Sequence, residues 1–231
     1  MDQRYRHLQC ARTVVETASQ NPAQRAQASL YNLATSPAGA KSKWLIERIP
    51  TDSHIGGAID KLKRILILSS EFPPGPGGIG THAYQLAKHL SAAGIEVKVL
   101  TPQDYTDPSE VTHFNRQQAF EILTLPTHRS TIIQWINRLK AFTITTRTFD
   151  PQIVIASGSR AIWLSANLLP IRNYCLVVVA HGTEFGAQSG LAAIITRVSA
   201  NRAHGIICVS AYTRDAMRKL GVVRPTDFII H

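Results

Sequence analysis

Arg64-Ile65-Leu66-Ile67-Leu68-Ser69-Ser70-Glu71-Phe72-Pro73-Pro74-Gly75-Pro76-Gly77-Gly78-Ile79-Gly80 is an apolar run that breaks into a proline- and glycine-rich loop and then into a helical pattern. A strand, a glycine loop and a helix N-terminus together form a device for receiving phosphate or another anion, because first-turn N–H groups and the positive end of the helix dipole converge there. Glycine lets the backbone approach a ligand closely and adopt positive φ at no steric cost.

The same alternation continues outward from this stretch. Short apolar strands are predicted at Ile65 to Ser69, Ile95 to Leu100, Phe120 to Leu125, Gln152 to Ala156, Tyr174 to Ala180 and Gly205 to Val209. Helices are predicted at Ile79 to Ala93, Thr131 to Phe149, Ala161 to Leu169, Gly190 to Ala200 and Ala211 to Leu220. Strands this continuously apolar are covered on both faces, and strands alternating with helices build βαβ units. The expected class is α/β, a Rossmann-like parallel sheet with helices on both faces, spanning residues 61–231. In the first helix Tyr84, Leu86, Ala87 and Leu90 recur at three- and four-residue spacing, and Gly94 supplies its stop. The stretch from Pro102 to Gln118 has no apolar period and is expected to be a long loop.

Residues 1–60 differ in character. They mix Gln, Ala, Ser, Arg and Asn with breaks at Pro22, Pro37, Gly39, Pro50 and Gly56-Gly57, and read as a flexible or poorly structured extension with a short helix at Leu8 to Ala18.

With a formal charge of +10 and 44% hydrophobic residues, the chain has the composition of a globular, core-forming protein with a basic surface. Its excess charge suits nucleic acid, an acidic membrane surface or phosphorylated small molecules, or simply keeps the protein soluble. The lack of Lys/Arg runs interleaved with aromatics weighs against nucleic acid. Cys10, Cys175 and Cys208 are widely spaced, and the last two sit in strand-like runs as small buried hydrophobes. They predict a reducing compartment, and with no apolar stretch long enough to span a bilayer the expected location is cytoplasmic. Histidines such as His89, His113, His128 and His204 form no HExxH or other compact ligand set, so no metal site is expected. The segment Thr131 to Phe149 places Arg138, Lys140 and Arg147 beside Ile132, Ile133, Trp135, Ile136 and Phe142. Such a face either packs on its own sheet or rests against anionic lipid at the membrane periphery.

Gly75, Gly77 and Gly80 satisfy GxGxxG, which raises a dinucleotide-binding oxidoreductase. Two details oppose it: Ser69 to Pro74 separate strand from first glycine, and the second predicted strand ends in Leu100-Thr101-Pro102 rather than in a ribose-binding acid. A phosphate loop of the GxxxxGK[ST] type is excluded by the absence of Gly-Lys-Ser/Thr.

The wider pattern fits better. Phe72-Pro73-Pro74, Gly77-Gly78-Ile79-Gly80-Thr81-His82, Leu86-Ala87-Lys88-His89-Leu90, Asp150-Pro151-Gln152-Ile153-Val154, His181-Gly182-Thr183-Glu184 and Cys208-Val209-Ser210 follow one another in order. Together they resemble the N-terminal, acceptor-side domain of family-four glycosyltransferases of GT-B fold. The resemblance implies a retaining enzyme that moves a hexose from a nucleotide sugar to a glycan or lipid acceptor across a cleft between two Rossmann-like domains, without a metal or other cofactor. It implies that Gly77 and Gly78 lie against the donor's diphosphate or sugar, and that His181 contacts the sugar and stabilises its oxocarbenium-like transition state. His82 and Glu184 would line the cleft on the acceptor side, with helix capping an equal alternative for Glu184. Ser210 is read as the cap of the following helix. The family's paired glutamates and diphosphate-neutralising cation belong to a C-terminal donor domain that is expected to be absent here. The expected activity is therefore weak without a separate donor-domain polypeptide, and a non-catalytic binding or regulatory module is the alternative.

Overall fold

The computed structural model describes residues 63–168, 174–186, 189–222 and 227–229. The extension read over residues 1–60 lies outside them.

Among the described residues seven parallel strands form one sheet: β1 (Arg64–Ser69), β2 (Glu96–Thr101), β3 (Glu121–Thr124), β4 (Ile153–Ser157), β5 (Cys175–Ala180), β6 (Gly205–Cys208) and β7 (Asp227–Ile229). Their spatial order is β3-β2-β1-β4-β5-β6-β7. Six of them lie where the apolar runs predicted, and β7 extends the sheet beside β6, with Ile207 opposite Phe228. Successive residues of β1 point to opposite faces. Leu66 and Leu68 join a core with Phe142, Ile162 and Val178, while Ile65 and Ile67 join another with Phe72, Ala83, Leu86 and Leu90.

Order reverses between β1 and β4. After β1 the chain moves to β2 through α1 (Gly78–Ala92), whose buried residues Gly80, Ala83, Leu86, Ala87 and Leu90 repeat at helical spacing. Gly94, at φ +81, ends that turn. After β4 it moves the other way through α4 (Ser159–Leu168), which packs in the opposite core. Adjacent strands that depart in opposite directions leave a crevice at their carboxyl ends, the place where open α/β sheets receive ligands.

Two expectations need correction. The Pro102 to Gln118 segment is not all loop: it contains α2 (Pro108–Arg116). Asp107 caps that helix by accepting the Ser109 N–H at 2.8 Å, and Pro108 supplies a preset first turn. Its one buried residue, Val111, is too little for an apolar period to register, whereas the Asp-Pro-Ser start was a readable signal. The second correction concerns α3 (Thr131–Phe149), whose Arg138 does not belong to an outward basic face. It is only 5% exposed and lies with Phe142, Thr145, Thr146 and Phe149 on the buried side, while Ile132, Ile136 and Ile144 face outward. The remaining elements are α5 (Thr183–Gly186), α6 (Gly190–Asn201) and α7 (Ala211–Lys219). Ser210 caps α7 as expected, accepting the Thr213 N–H at 3.1 Å. Cys175 and Cys208 are buried in their strands. Among the described residues no helix is long and apolar enough to cross a membrane.

Candidate functional site

The crevice is closed at its base by backbone. Ser70 N–H donates to Ser157 O across the ends of β1 and β4 at 3.0 Å, locking the start of the glycine loop to the end of β4. Gly158, at φ +92, is the next residue, and a Cβ there would run into the Ser70 side chain.

The glycines of the loop divide by role. Gly80 is buried, and a Cβ on it would come within 2.9 Å of Phe72 N and 3.0 Å of Phe72 Cα. It lets α1 lie against its own loop. Gly77 caps α1 at φ +143, and its Cβ position is already filled by the Glu71 carboxylate. The absence of a side chain there is demanded by the chain itself, whatever a ligand requires. Gly78 meets nothing within 4 Å and is exposed, so the space beside it is open. No side chain caps α1 and no acid occupies its first turn, which leaves the helix N-terminus facing the crevice with Glu71 on one flank.

His181 follows β5 directly. Its Nε2 shares a hydrogen bond of 2.9 Å with Ser157 Oγ, and its ring meets that of His82 edge to face, with centroids 5.2 Å apart. His82 hangs from the second turn of α1, and its buried Nδ1 has no hydrogen-bond partner among the described residues. The two histidines expected to share a cleft are therefore in contact, from opposite sides of the sheet's reversal. Glu184 is 1% exposed, and its Oε2 accepts the His181 N–H at 3.1 Å. It ties the turn that carries the imidazole, aided by Gly182 at φ +105. Two residues were missed by sequence reasoning, Ser157 and Glu71. Both stand at or just beyond the carboxyl end of a parallel strand, which was the available signal.

Burial and the neighbouring His82 push the His181 pKa down to about 4. Burial also lowers that of His82. Both rings are neutral at pH 7, so each offers one donor and one acceptor nitrogen rather than a positive charge. Among the described residues no three His, Cys, Asp or Glu side chains gather into a metal-ligating group. A separate open groove of about 320 Å³ lies between α5 and α7, lined by Phe185, Tyr212, Asp215 and Lys219 among others.

Two outcomes follow from this geometry. Gly80→Ala should lower stability to urea by about 1–3 kcal/mol through overpacking, whereas Gly78→Ala, with open space around it, should cost nothing measurable. Equal losses in the two variants would contradict the division of roles. In an NMR titration the His181 imidazole should stay neutral until pH falls toward about 4. Its folded-state pKa lies below the unfolded value of about 6.5, so its contribution to stability is complete above that pH and is lost as pH falls from there toward 4. A His181 midpoint above 6 would contradict the burial.

Comparison with known proteins bears on the fold. The fold is similar to that of sucrose-phosphate synthase from Thermosynechococcus elongatus, with 15% identity and a TM-score of 0.58, covering 73% of this chain and 47% of that one. It is similar to Anabaena HepE in complex with UDP-glucose, with 19% identity and a TM-score of 0.56, covering 73% of this chain and 43% of that one. A glycosyltransferase from Rickettsia africae gives 14% identity and a TM-score of 0.56, over 74% and 43% of the respective chains. The chain thus spans less than half the length of these structures. No curated protein matches it in sequence. The model of Glycosyltransferase Family 4 matches residues 76–229, two-thirds of the chain and every element from the glycine loop to β7, and the chain belongs to that family, as an N-terminal half of its GT-B fold.

Proposed function

We propose that this chain is the acceptor-side half of a retaining, nucleotide-sugar-dependent hexosyltransferase, acting on a glycan or lipid acceptor together with a donor-binding domain. The observation that carries the reading is the meeting of two elements at the sheet's reversal: the uncapped glycine-rich start of α1, and the contacting pair His181 and His82. Anabaena HepE, a protein of similar fold, holds UDP-glucose in its solved complex.

In this reading the sugar lies beside Gly78, where the space is open, and the first-turn N–H groups of α1 face the departing diphosphate. As the glycosidic bond to the diphosphate breaks, the anomeric carbon gains positive charge and the leaving oxygens gain negative charge. A neutral His181 hydrogen-bonds a sugar hydroxyl without adding positive charge beside the forming oxocarbenium ion. Ser157 and Glu184 hold that imidazole in place, one through Nε2 and the other through the backbone N–H. Glu71, against Gly77 at the edge of the loop, is suited to accept a hydrogen bond from an acceptor hydroxyl. No metal is needed for these steps. A lipid acceptor is favoured by the outward apolar side chains of α3, Ile132, Ile133, Ile136 and Ile144, with Lys140 and Arg147 exposed among them.

Mixed with a separately produced donor domain from a UDP-glucose-binding family member, the chain should support sugar transfer, and His181→Ala should cut kcat by about 10²–10³-fold. Unchanged kcat in that variant would remove His181 from the chemistry. No transfer at saturating donor domain and donor would favour the alternative, a non-catalytic binding module.

A further inference from the structure

Tyr105 carries a large aromatic ring that is 65% exposed, yet the turn that bears it is firmly tied down. It follows β2, and two residues earlier Gln103 is only 7% exposed with its side-chain amide fully used. Gln103 Nε2 donates to Pro73 O at 2.8 Å and to Asn115 Oδ1 at 2.9 Å, while its Oε1 accepts from Asn115 Nδ2 and Thr124 Oγ1, both at 2.9 Å. Two donors and two acceptor sites are all that such an amide has. One side chain thus pins the turn to the loop after β1, to α2 and to the end of β3. On the other side of Tyr105, Asp107 caps α2. A ring held from both ends costs little further ordering when a ligand binds to it.

The ring lies against the glycine loop itself. A Cβ on Gly75 would stand 3.5 Å from Tyr105 Cβ and 3.7 Å from Tyr105 Cδ2. Further along, the Glu71 carboxylate fills the Cβ position of Gly77, and Gly78 has nothing within 4 Å. Along its backbone the loop therefore presents, in order, an aromatic ring, a carboxylate and open space beside the uncapped start of α1. The chain from Gly75 to Gly78 reaches at most about 11 Å, a span that one sugar on Tyr105 and another beside Gly78 fill together. The C–H faces of a pyranose are apolar and slightly positive, and the face of a tyrosine ring is slightly negative. Stacking the two buries apolar area and aligns those charges, and a carboxylate at the sugar's edge accepts its hydroxyls. Tyrosine makes such contacts at low entropic cost because only two side-chain angles are fixed.

We infer that Tyr105 is a stacking platform for a pyranose ring, and that this ring is the one the acceptor presents, held with a hydroxyl turned along the loop toward the space beside Gly78. The platform stands on the tied turn and its contact with Gly75, while naming its ring as the acceptor's rests on the glycosyltransferase reading. A free glycan and the headgroup of a glycolipid offer the same ring. Tyr212 supplies an internal control: it is more exposed still, at 74%, but stands on α7 away from the glycine loop.

The test is an NMR titration of the isotope-labelled chain with a panel of methyl hexopyranosides, with sorbitol as an open-chain polyol, with maltose, and with octyl glucoside below the concentration at which it forms micelles. Pyranosides should move the Tyr105 ring signals and the Gly78 amide along one saturating curve, and sorbitol should move neither. Tyr105→Ala should weaken binding at least ~5-fold and Tyr105→Phe less than ~2-fold, because the ring face rather than the hydroxyl makes the contact. Tyr212→Ala should have no effect. Maltose bound more tightly than the methyl glycosides identifies a glycan acceptor, and octyl glucoside bound more tightly identifies a lipid-linked one, the gain in either case being lost in Tyr105→Ala. Pyranosides that leave the Tyr105 ring unmoved, that move Tyr212 equally, or that bind Tyr105→Ala as they bind the parent overturn the platform. Movement of Tyr105 without Gly78 overturns the acceptor assignment alone. None of these readouts requires a donor or sugar transfer, so their failure is separable from failure of the transferase reading.

Discussion

Everything at this site depends on the hydrogen bond from Ser70 N–H to Ser157 O, where β1 and β4 end side by side and their chains part in opposite directions. On one side of it the glycine loop climbs into α1, and on the other Gly158 turns into α4. The approach is close enough that Gly158 can carry no side chain against Ser70. One backbone contact therefore sets the distance between the N-terminus of α1, beside the open space at Gly78, and the N-terminus of α4. His181, at the end of the next strand, is fastened to the same point through the Ser157 hydroxyl.

Charge is distributed around this point in an ordered way. The imidazoles of His82 and His181 are held neutral by burial, the carboxylate of Glu71 sits against Gly77, and Arg138 and Arg160 stand on the α4 side. On the proposed reading, neutral and acidic groups suit the carbon that becomes cationic as the sugar leaves. The chain spans less than half the length of the structures it resembles in fold.

Much of this was legible in the residues. Continuous apolar runs locate buried parallel strands because such strands have no solvent face to mark with polar residues. The His181-Gly182-Thr183-Glu184 motif located the imidazole at a strand end. Other features were hidden for physical reasons. Helix α2 buries only Val111, so its periodicity is silent and only the Asp107-Pro108 start betrays it. Arg138 lies on what reads as a mixed basic and apolar face, and only the packing of α3 against α4 and the loop after β1 shows it to be inside. The glycines of the loop look equivalent in sequence, yet Gly80 answers to backbone contact, Gly77 to Glu71 and Gly78 to open space. Ser157 could have been suspected from its place at a strand end, but its link to His181 arises only from the pairing of β4 with β5.

The most direct measurement is the map of amide and imidazole chemical shifts in the isotope-labelled chain when UDP-glucose and a donor domain are added together. The account predicts that the largest changes fall on Gly77, Gly78, Ile79 and the rings of His82 and His181, and that they vanish when the donor domain is left out. Changes concentrated in the groove of Phe185, Tyr212 and Lys219, with the glycine loop and both histidines unmoved, would contradict it.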